Sequence, residues 1–372
     1  MLLPFPLILF ITLAMVFHAG LPTGLPVAVV DLDGTMMSHQ VTRMVDATPD
    51  VDVKLQLASL SEAKRALVSR KAYAVLYIPK NMERDLQLGH RPNLVMFINN
   101  QLYTTGSITH RAIASALSTF NVGVSIQTRM ARGADRDSAT AAVEPIPLQI
   151  NPLFNPTLNY IQFLLAAIMP AILQIFVSVS AALSFSRDHH TAAGMPRAMR
   201  LGGSAFRVIA GKLLPYTIIW SMMLMLTDAI IFGGFDGSFH GNIAFHFVYG
   251  AIFILASQFL GACGALLSRD TAATLGFVGV LTAPAFGFAG VSYPRIMMNQ
   301  FARWWGDMIP LTSYLELRTD QVLRGTPIHY SLPEFYWALA TMVGWLLLLV
   351  VLVQADAYKK SKKKAQAQGE MA

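Results

Sequence analysis

FSRDHHTAAGMPRAMRLGGSAFRVIAGKLLPY, residues 185–216, is a polar and basic segment between two long apolar runs. The run before it, Ile161–Phe185, holds 25 residues without a charged side chain. The run after it, Leu213–Phe235, holds 23 residues with a single charge, that of Asp228. A helix needs about 20 predominantly apolar residues to cross a bilayer. Both runs are therefore predicted to be membrane-spanning helices, and this segment joins them.

The joining segment is strongly basic. Five basic residues stand against one acidic residue: Arg187, Arg197, Arg200, Arg207 and Lys212, against Asp188. Short loops rich in Lys and Arg stay on the cytoplasmic side of a membrane. Helical spacing predicts short helices at Pro196–Leu201 and Ala205–Leu214, separated at Gly202 and Gly203. We therefore predict a cytoplasmic platform, residues 186–212, held by two membrane helices.

The composition is that of a membrane protein. Of the 372 residues, 54% are hydrophobic and only 13% are charged, whereas a soluble domain has about 25% charged residues. Much of the net charge of +7 comes from the basic segment and from a C-terminal tail. Basic residues in such places flank membrane spans, so the charge does not indicate a nucleic-acid partner. The tail lysines are Lys359, Lys360, Lys362, Lys363 and Lys364.

Apolar and polar stretches divide the chain into four parts. They are a first membrane span (1–20), an extracytoplasmic α/β domain (21–156), a five-helix membrane bundle (157–354) and a basic cytoplasmic tail (355–372). We expect the first span to be retained, because Phe17 stands where signal cleavage needs a small residue. The predicted fold class is an α-helical polytopic membrane protein with six transmembrane helices, an inserted extracytoplasmic α/β domain and both termini in the cytoplasm. The segment Val291–Leu332 is then a loop outside.

Residues 21–156 carry alternating strand and helix signals. Short apolar or alternating runs predict strands at Val27–Val30, Val51–Leu57, Ala72–Ile78 and Leu94–Ile98. Ser59 and Glu62 form an S-x-x-E capping pattern at the start of a helix. Strands that alternate with helices indicate a mixed sheet packed with helices.

Asp31 and Asp33 follow a predicted strand in the sequence D-x-D-G-T, which is typical of haloacid-dehalogenase-type phosphatases. That chemistry also needs acidic residues at the end of a later strand to hold Mg²⁺. Asp135 and Asp137 do not follow an apolar strand. We therefore interpret Asp31 and Asp33 as strand-end and helix-capping residues, and we keep a phosphatase as an alternative.

Other patterns of enzyme chemistry are weak or missing in the sequence. His189 and His190 are adjacent, so they would point to different sides of a helix and make a poor metal pair. The chain has no G-x-x-x-x-G-K-[ST] sequence, so it does not predict a phosphate-binding loop.

Polar residues inside apolar runs are candidates for function. A charge within a span is a functional candidate by default, and Asp228 lies about 24 Å along a helix from Lys212. The alternative is that Asp228 simply reaches the outer interface. Gln174, in the preceding span, is a similar and weaker candidate.

Small residues recur on the predicted fifth span, residues 271–290. Gly279, Ala283 and Gly287 are spaced by four, which lets helices approach closely, within one protomer or between two. The alternative is that they face lipid. Pro284 between them predicts a kink.

Four stretches, in this order, carry a family resemblance. They are Val27–Asp31 with Ser38; Ile78 and Pro79 with Met82, Leu86 and Gly89; Gly211–Tyr216, which includes Pro215; and Ile309–Leu315, which includes Pro310 and Thr312, with Leu323–Gly325. Together they make the chain resemble the permease subunits of type-2 ABC exporters that have a large extracytoplasmic domain between the first two of six spans.

The resemblance implies a transport subunit of a bacterial inner membrane and not an enzyme. Two permease subunits, as a homodimer or a paralogous heterodimer, would form the pathway, with Gln174 and Asp228 as candidate lining residues. A separate ATPase would bind ATP and Mg²⁺ and act on the basic segment, and this chain would hold no cofactor. A periplasmic adaptor and membrane lipids are further implied partners.

The resemblance is not complete, and rival functions remain open. The family segment R-E-x-E-x-G-T stands here as Arg187–Gly194, with its acidic pair reduced to Asp188. This fits a chain that pairs with a more typical paralogue. Apolar spans with few charges favour an amphiphilic or drug-like substrate. The alternatives are an envelope scaffold that transports nothing and the membrane-anchored phosphatase.

Overall fold

A computed structural model describes residues 4–20, 22–99, 103–143, 153–155, 159–188, 194–235, 237, 239–268 and 270–369. The chain divides into two compact units, one of Leu21–Asn151 and one of Met1–Gly20 with Pro152–Ala372. The fifteen α-helices are α1 Pro4–Val16, α2 Met36–Asp46, α3 Leu60–Val68, α4 Met82–Gln87, α5 Tyr103–Ala131, α6 Arg136–Val143, α7 Ala166–Ser186, α8 Gly194–Gly202, α9 Ala205–Gly234, α10 Ile243–Ser268, α11 Thr271–Thr282, α12 Ala285–Phe288, α13 Gln300–Met308, α14 Pro310–Arg318 and α15 Ile328–Gly369.

The unit of residues 21–151 contains a four-stranded mixed sheet. Its strands are β1 Leu25–Asp31, β2 Val51–Leu57, β3 Ala74–Ile78 and β4 Val95–Ile98, in the order β2-β1-β3-β4. Strand β1 is parallel to β2 and β3, while β4 is antiparallel to β3. The four strands predicted from the sequence are present, with bounds shifted by at most two residues.

Helices cover both faces of the central strand β1. Val27 and Val29 pack into a core with α2 and α5, whereas Ala28 and Val30 pack into a second core with α3. Burial on both faces explains why this strand is continuously apolar in the sequence. Ser59 caps α3 as predicted, but the Glu62 carboxylate accepts from the Ala58 amide at 3.1 Å. The predicted capping box is therefore displaced by one residue.

The other unit is helical and contains five helices long and apolar enough to cross a membrane. They are Ile161–Ser186, Ala205–Gly234, Ile243–Ser268, Thr271–Phe288 and Ile328–Lys362. The predicted first span contains the apolar helix α1, whose 13 residues are fewer than the roughly 20 that a straight span needs. The predicted kink is present, because α11 ends at Thr282 and α12 begins after Pro284.

Helix α10 is the centre of this unit and packs on α7 and α15. At its closest approach to α7, a Cβ added to Gly261 would lie 2.6 Å from the carbonyl carbon of Ser178. The Ser178 hydroxyl donates to the Ser257 carbonyl across the same contact at 2.9 Å. Only a glycine allows the two backbones to meet here.

The segment Val291–Leu332 is not the loop that the sequence predicts. It forms α13 and α14, and the residues from Pro310 to Leu315 are buried. Leu311 and Tyr314 belong to the same core as helices α7, α9 and α10. The expectation of a loop is wrong because α14 is only nine residues long, too short for a length-based search for spans.

Candidate functional site

A buried cluster of charged side chains joins three helices of the bundle. Asp228 on α9, His246 on α10 and Arg318 on α14 have exposed fractions of 7%, 3% and 4%. The Asp228 carboxylate accepts from Arg318 Nη1 through one oxygen, and its other oxygen lies 2.7 Å from His246 Nε2. Both partners stabilise an anion that would be costly to bury alone.

Aromatic side chains enclose this cluster. The Tyr249 hydroxyl contacts His246 Nδ1, and the Tyr314 hydroxyl accepts from Arg318 Nη1 at 3.2 Å. The Phe232 ring centroid lies 5.6 Å from the Arg318 guanidinium carbon, within cation–π range. Asp228 is thus buried and paired inside the bundle.

Next to the cluster lies a cavity of about 510 Å³, within the range of small-molecule sites. It lies at the end of the bundle where α7 begins and α9 ends. Arg318 forms part of its wall, which combines apolar and charged side chains. The apolar lining includes Phe163, Ala166, Ala167, Ile231 and Phe232, and the charged lining is Arg295, Glu316, Arg318, Asp320, Arg324 and Glu334.

Two π-helical turns lie against this cavity. One is Ile161–Leu165, just before α7, and the other is Thr319–Arg324, just after α14. Residues of both turns line the cavity. Such turns carry a strain that ordinary helices avoid, and they occur frequently at functional sites.

Ion pairs hold most of the charges at the cavity wall. Arg295 contacts Glu316 at 2.9 Å and also pairs with Asp307. Burial alone would lower the pKa of Arg295, but the hydrogen bonds to Asp307 and Glu316 outweigh it and raise that pKa. Arg324 pairs with Asp320 at 3.0 Å. Arg295 therefore stays charged at every physiological pH.

A separate group of polar side chains lies deeper in the bundle. The Thr217 hydroxyl donates to Gln258 Oε1 at 2.8 Å, and Trp220 Nε1 donates to the Ser180 hydroxyl at 2.8 Å. Gln174 is fully buried, and its amide has no hydrogen-bond partner among the residues that the structure describes. Gln174 does not line the cavity. Asp228 does not line it either, but it is paired with Arg318, which does.

The basic segment forms the helices that its sequence predicts. Helix α8 ends at Gly202, Gly203 has a positive φ of 72°, and α9 begins at Ala205. The Ser204 hydroxyl caps α9 by accepting from the Arg207 amide at 3.3 Å. His189 and His190 lie outside the described residues.

Two residues of the basic segment, Asp188 and Lys212, are paired within the chain. Lys212 pairs with Asp188 at 2.8 Å and donates to the Ser184 carbonyl at 3.2 Å. Lys360, from the C-terminal part of α15, donates to the Asp188 carbonyl at 3.3 Å. Asp188 and Lys212 therefore fasten the segment to α7 and α15.

The remaining arginines of the segment are exposed. Arg187, Arg197, Arg200 and Arg207 make no ion pair within the described part of the chain. Leu201 and Phe206, beside them, are also exposed, at 76% and 63%. Basic and apolar side chains together form an unpartnered surface. Helix α9, which has 30 residues and is roughly 45 Å long, begins at this surface and carries Asp228 within its last two turns.

One comparison with known proteins bears on the identity of the chain. A family model described as "ABC-2 family transporter protein" matches residues 1–353. The chain belongs to this family. It is a membrane permease of the ABC-2 type, which confirms the family part of the resemblance inferred from the sequence motifs. The comparison with curated proteins finds no match.

Within the permease, the residues that carried the resemblance have unequal surroundings. Gly211 and Pro215 lie exposed on α9, and a Cβ at Gly211 would meet no atom within 4 Å. Pro310 is buried at the first position of α14, where its missing amide proton is not needed. Thr312 is buried one turn into the same helix. The second pair is therefore buried at the start of α14, while the first pair is exposed on α9.

The small residues of the fifth span face away from the permease. A Cβ at Gly279 or at Gly287 would meet nothing within 4 Å, and Ala283 is exposed. No helix of the described chain uses these two glycines for a close approach. The close contact that the sequence predicts within one protomer is therefore absent at both of them.

Asp31 and Asp33 act as hydrogen-bond acceptors in the permease. Asp31 accepts from the Ser38 hydroxyl at 2.6 Å, and Asp33 accepts from the amides of Met82 and Glu83 at 3.0 and 3.2 Å. These bonds fasten the starts of α2 and α4 to the end of β1. Among the described residues, no three His, Cys, Asp or Glu side chains are grouped to hold a metal ion. The capping interpretation accounts for both carboxylates, and ABC-2 permeases are transport subunits.

Sequence reasoning missed most of the residues around the cavity. His246 stands only three residues into its span and could have been noticed as an ionisable residue in an apolar helix. Arg318 and Glu334 gave no such signal, because one lay in a presumed loop and the other at the edge of a span.

Proposed function

We propose that this permease is the membrane-spanning subunit of an ATP-driven exporter. It would move an amphiphilic or drug-like compound out of the cytoplasm or the inner leaflet of a bacterial inner membrane. The observation that carries the proposal is α9, which links the exposed basic surface to the buried charge cluster beside the cavity. A helix of this length can transmit a displacement from one end to the other.

The partners follow from the same arrangement. A separate ATPase subunit would bind ATP and Mg²⁺ and dock on Arg197, Arg200 and Arg207 at the cytoplasmic face. Movement of α8 and the start of α9 would tilt α9 and shift Asp228 against Arg318, which changes the cavity wall. Ligands shift a protein between states only by binding them unequally, and here the ATPase would supply that difference. Both termini would be cytoplasmic, and a periplasmic adaptor would be a further partner.

Reversing the charge of the basic surface tests the coupling. Arg197→Glu with Arg200→Glu should leave the permease inserted but release the ATPase, or uncouple ATP hydrolysis from export in a reconstituted complex. The physical reason is that two contacts to an acidic groove become repulsive, because like charges placed across an interface are strongly unfavourable.

The matched control is Lys359→Glu with Lys362→Glu, which makes the same charge change at exposed positions of the C-terminal helix. Basic residues near a membrane each gain about 1 kcal/mol from anionic lipid. If both double variants lower export equally, lipid binding explains the effect. Wild-type export with bound ATPase in the Arg197 and Arg200 variant would remove this surface as the coupling element.

We propose that a second permease subunit packs against the outward-facing small residues of the fifth span. Gly279→Leu should weaken association of two permease chains by about 1–2 kcal/mol, because a large side chain keeps the helices apart. The measurement is the dimer fraction in detergent by multi-angle light scattering. Val280→Leu on an adjacent exposed position is the control and should leave the dimer fraction unchanged. Equal dimer fractions in both variants would mean that Gly279 faces lipid.

A further inference from the structure

We propose that the cavity binds an amphiphile whose head group carries an ammonium group and an acceptor oxygen. Its apolar body would lie against the apolar wall, its oxygen at Arg318 and its ammonium at Glu334. Binding of this amphiphile is inferred from the cavity alone. The idea that the amphiphile is the cargo rests on the proposed exporter function.

The demand for an acceptor oxygen comes from Arg318. Its Nη1 is taken by Asp228 and Tyr314, but its Nε and Nη2 are buried and have no hydrogen-bond partner in the described part of the chain. The side chain is 4% exposed and lines the cavity. Buried donors of a charged group are rarely left unpaired, since each lost bond is costly. Because Asp228 already neutralises Arg318, a hydroxyl, carbonyl or phosphate oxygen is sufficient.

The demand for an ammonium group comes from the acidic side of the cavity. Glu334 lines the cavity, and its Oε1 is buried without a hydrogen-bond partner among the described residues, while the carboxyl group also interacts with Ser313 and Glu316. Nearby, Arg295 is shared between Glu316 and Asp307, so these side chains carry one negative charge more than positive. Glu334 adds another carboxyl group. A cationic donor from a ligand would satisfy Glu334 and balance this excess.

The need for an apolar body comes from the apolar side chains that line the cavity. Phe163, Ile231 and Phe232 line the cavity, and the Phe163 side chain is 42% exposed, so these side chains offer an apolar surface to a ligand. A site with a mostly apolar wall and a few polar groups is typical of small-molecule binding. The polar side chains favour a head group with an amine, and the apolar side chains favour an apolar body. Together they define an amine-bearing amphiphile. Phosphatidylethanolamine of the bilayer and an amino-alcohol amphiphile from solution share this chemistry.

The experiment measures binding to the purified permease without any ATPase. In nanodiscs, native mass spectrometry would compare retained phosphatidylethanolamine with phosphatidylglycerol, which has the phosphate and chains but no amine. In detergent, fluorescence titration would compare N-dodecylethanolamine with dodecyl glycerol, which has hydroxyl groups but no amine. We expect tighter binding of the amine in at least one pair, and the pair that shows it identifies the source of the ligand. The proposal is overturned if neither pair shows tighter binding of the amine.

Two variants place the site. Glu334→Gln should reduce the amine preference by about tenfold or more, as expected for loss of one charge-assisted hydrogen bond. Ala166→Phe, which fills the cavity from α7, should reduce binding of the amine and of its amine-free counterpart together. A preference that persists in both variants places the amine elsewhere and overturns the proposal. Because no ATPase is present, failed export with intact binding contradicts the exporter function and not the site.

Discussion

Replacing Asp228 by Leu should reduce the free energy of unfolding of the permease by about 3–5 kcal/mol, the range seen when one partner of a buried ion pair is removed. The variant leaves Arg318, 4% exposed, without its carboxylate, and it also removes the acceptor at His246. Tyr314 alone cannot neutralise the guanidinium. The measurement is thermal unfolding of the purified permease in detergent, together with its monodisperse yield.

The decisive comparison is the double variant Asp228→Leu with Arg318→Leu. Replacing both members of a buried ion pair by apolar residues is often neutral or stabilising, so we expect most of the lost stability to return. Transport and ligand binding should stay low, because the double variant has no guanidinium at the cavity. Recovered stability without recovered binding separates the structural role of the pair from its role in the site.

An exposed aspartate provides the control for this series. Asp52 pairs with Lys54 at 3.5 Å, and both side chains are about half exposed. Exposed ion pairs contribute only about 0–1 kcal/mol, so Asp52→Leu should change the unfolding temperature little. If Asp228→Leu is as stable as Asp52→Leu, the buried cluster does not hold α9 and α14 together.

Gly261→Ala should destabilise the bundle more than any other single methyl group placed on a described glycine of the membrane helices. The added Cβ would lie 2.6 Å from the carbonyl carbon of Ser178, where no side-chain rotation can relieve the overlap. Helices α7 and α10 must then separate, which also weakens the bond from the Ser178 hydroxyl to the Ser257 carbonyl. We expect a loss of about 1–3 kcal/mol or more, as for other overpacked cores.

Gly344→Ala is the matched control, since Gly344 lies in the apolar helix α15 and a Cβ there meets nothing within 4 Å. Alanine favours a helix over glycine by about 0.5–1 kcal/mol, so the control should be neutral or slightly more stable. Both proteins would be compared by thermal unfolding and by the yield of monodisperse permease. A Gly261→Ala variant with wild-type stability would show that α7 and α10 do not touch at this point.

Local patterns in the sequence were sufficient for much of the architecture. The five long helices follow from runs of apolar residues. The end of α8 and the start of α9 follow from Gly202, Gly203 and the Ser204 cap. The strands around Asp31 follow from apolar and alternating runs. Each of these signals depends on neighbours within a few residues, so a single sequence contains all the information that they need.

The site itself depended on tertiary structure. Asp228 and Arg318 are separated by 90 positions, and no periodicity in the sequence connects them. Whether a carboxylate inside a span meets a cation or reaches solvent is decided by how α9 packs against α14. The same holds for Gly261, whose importance comes from the backbone of Ser178 on another helix, while Gly279 has an equally suggestive spacing and faces outward. Sequence alone determined which segments are long and apolar enough to cross a membrane, because hydrophobicity is a property of each segment. Only the packed structure decided which charges pair and where a cavity remains, because those properties belong to pairs of distant segments.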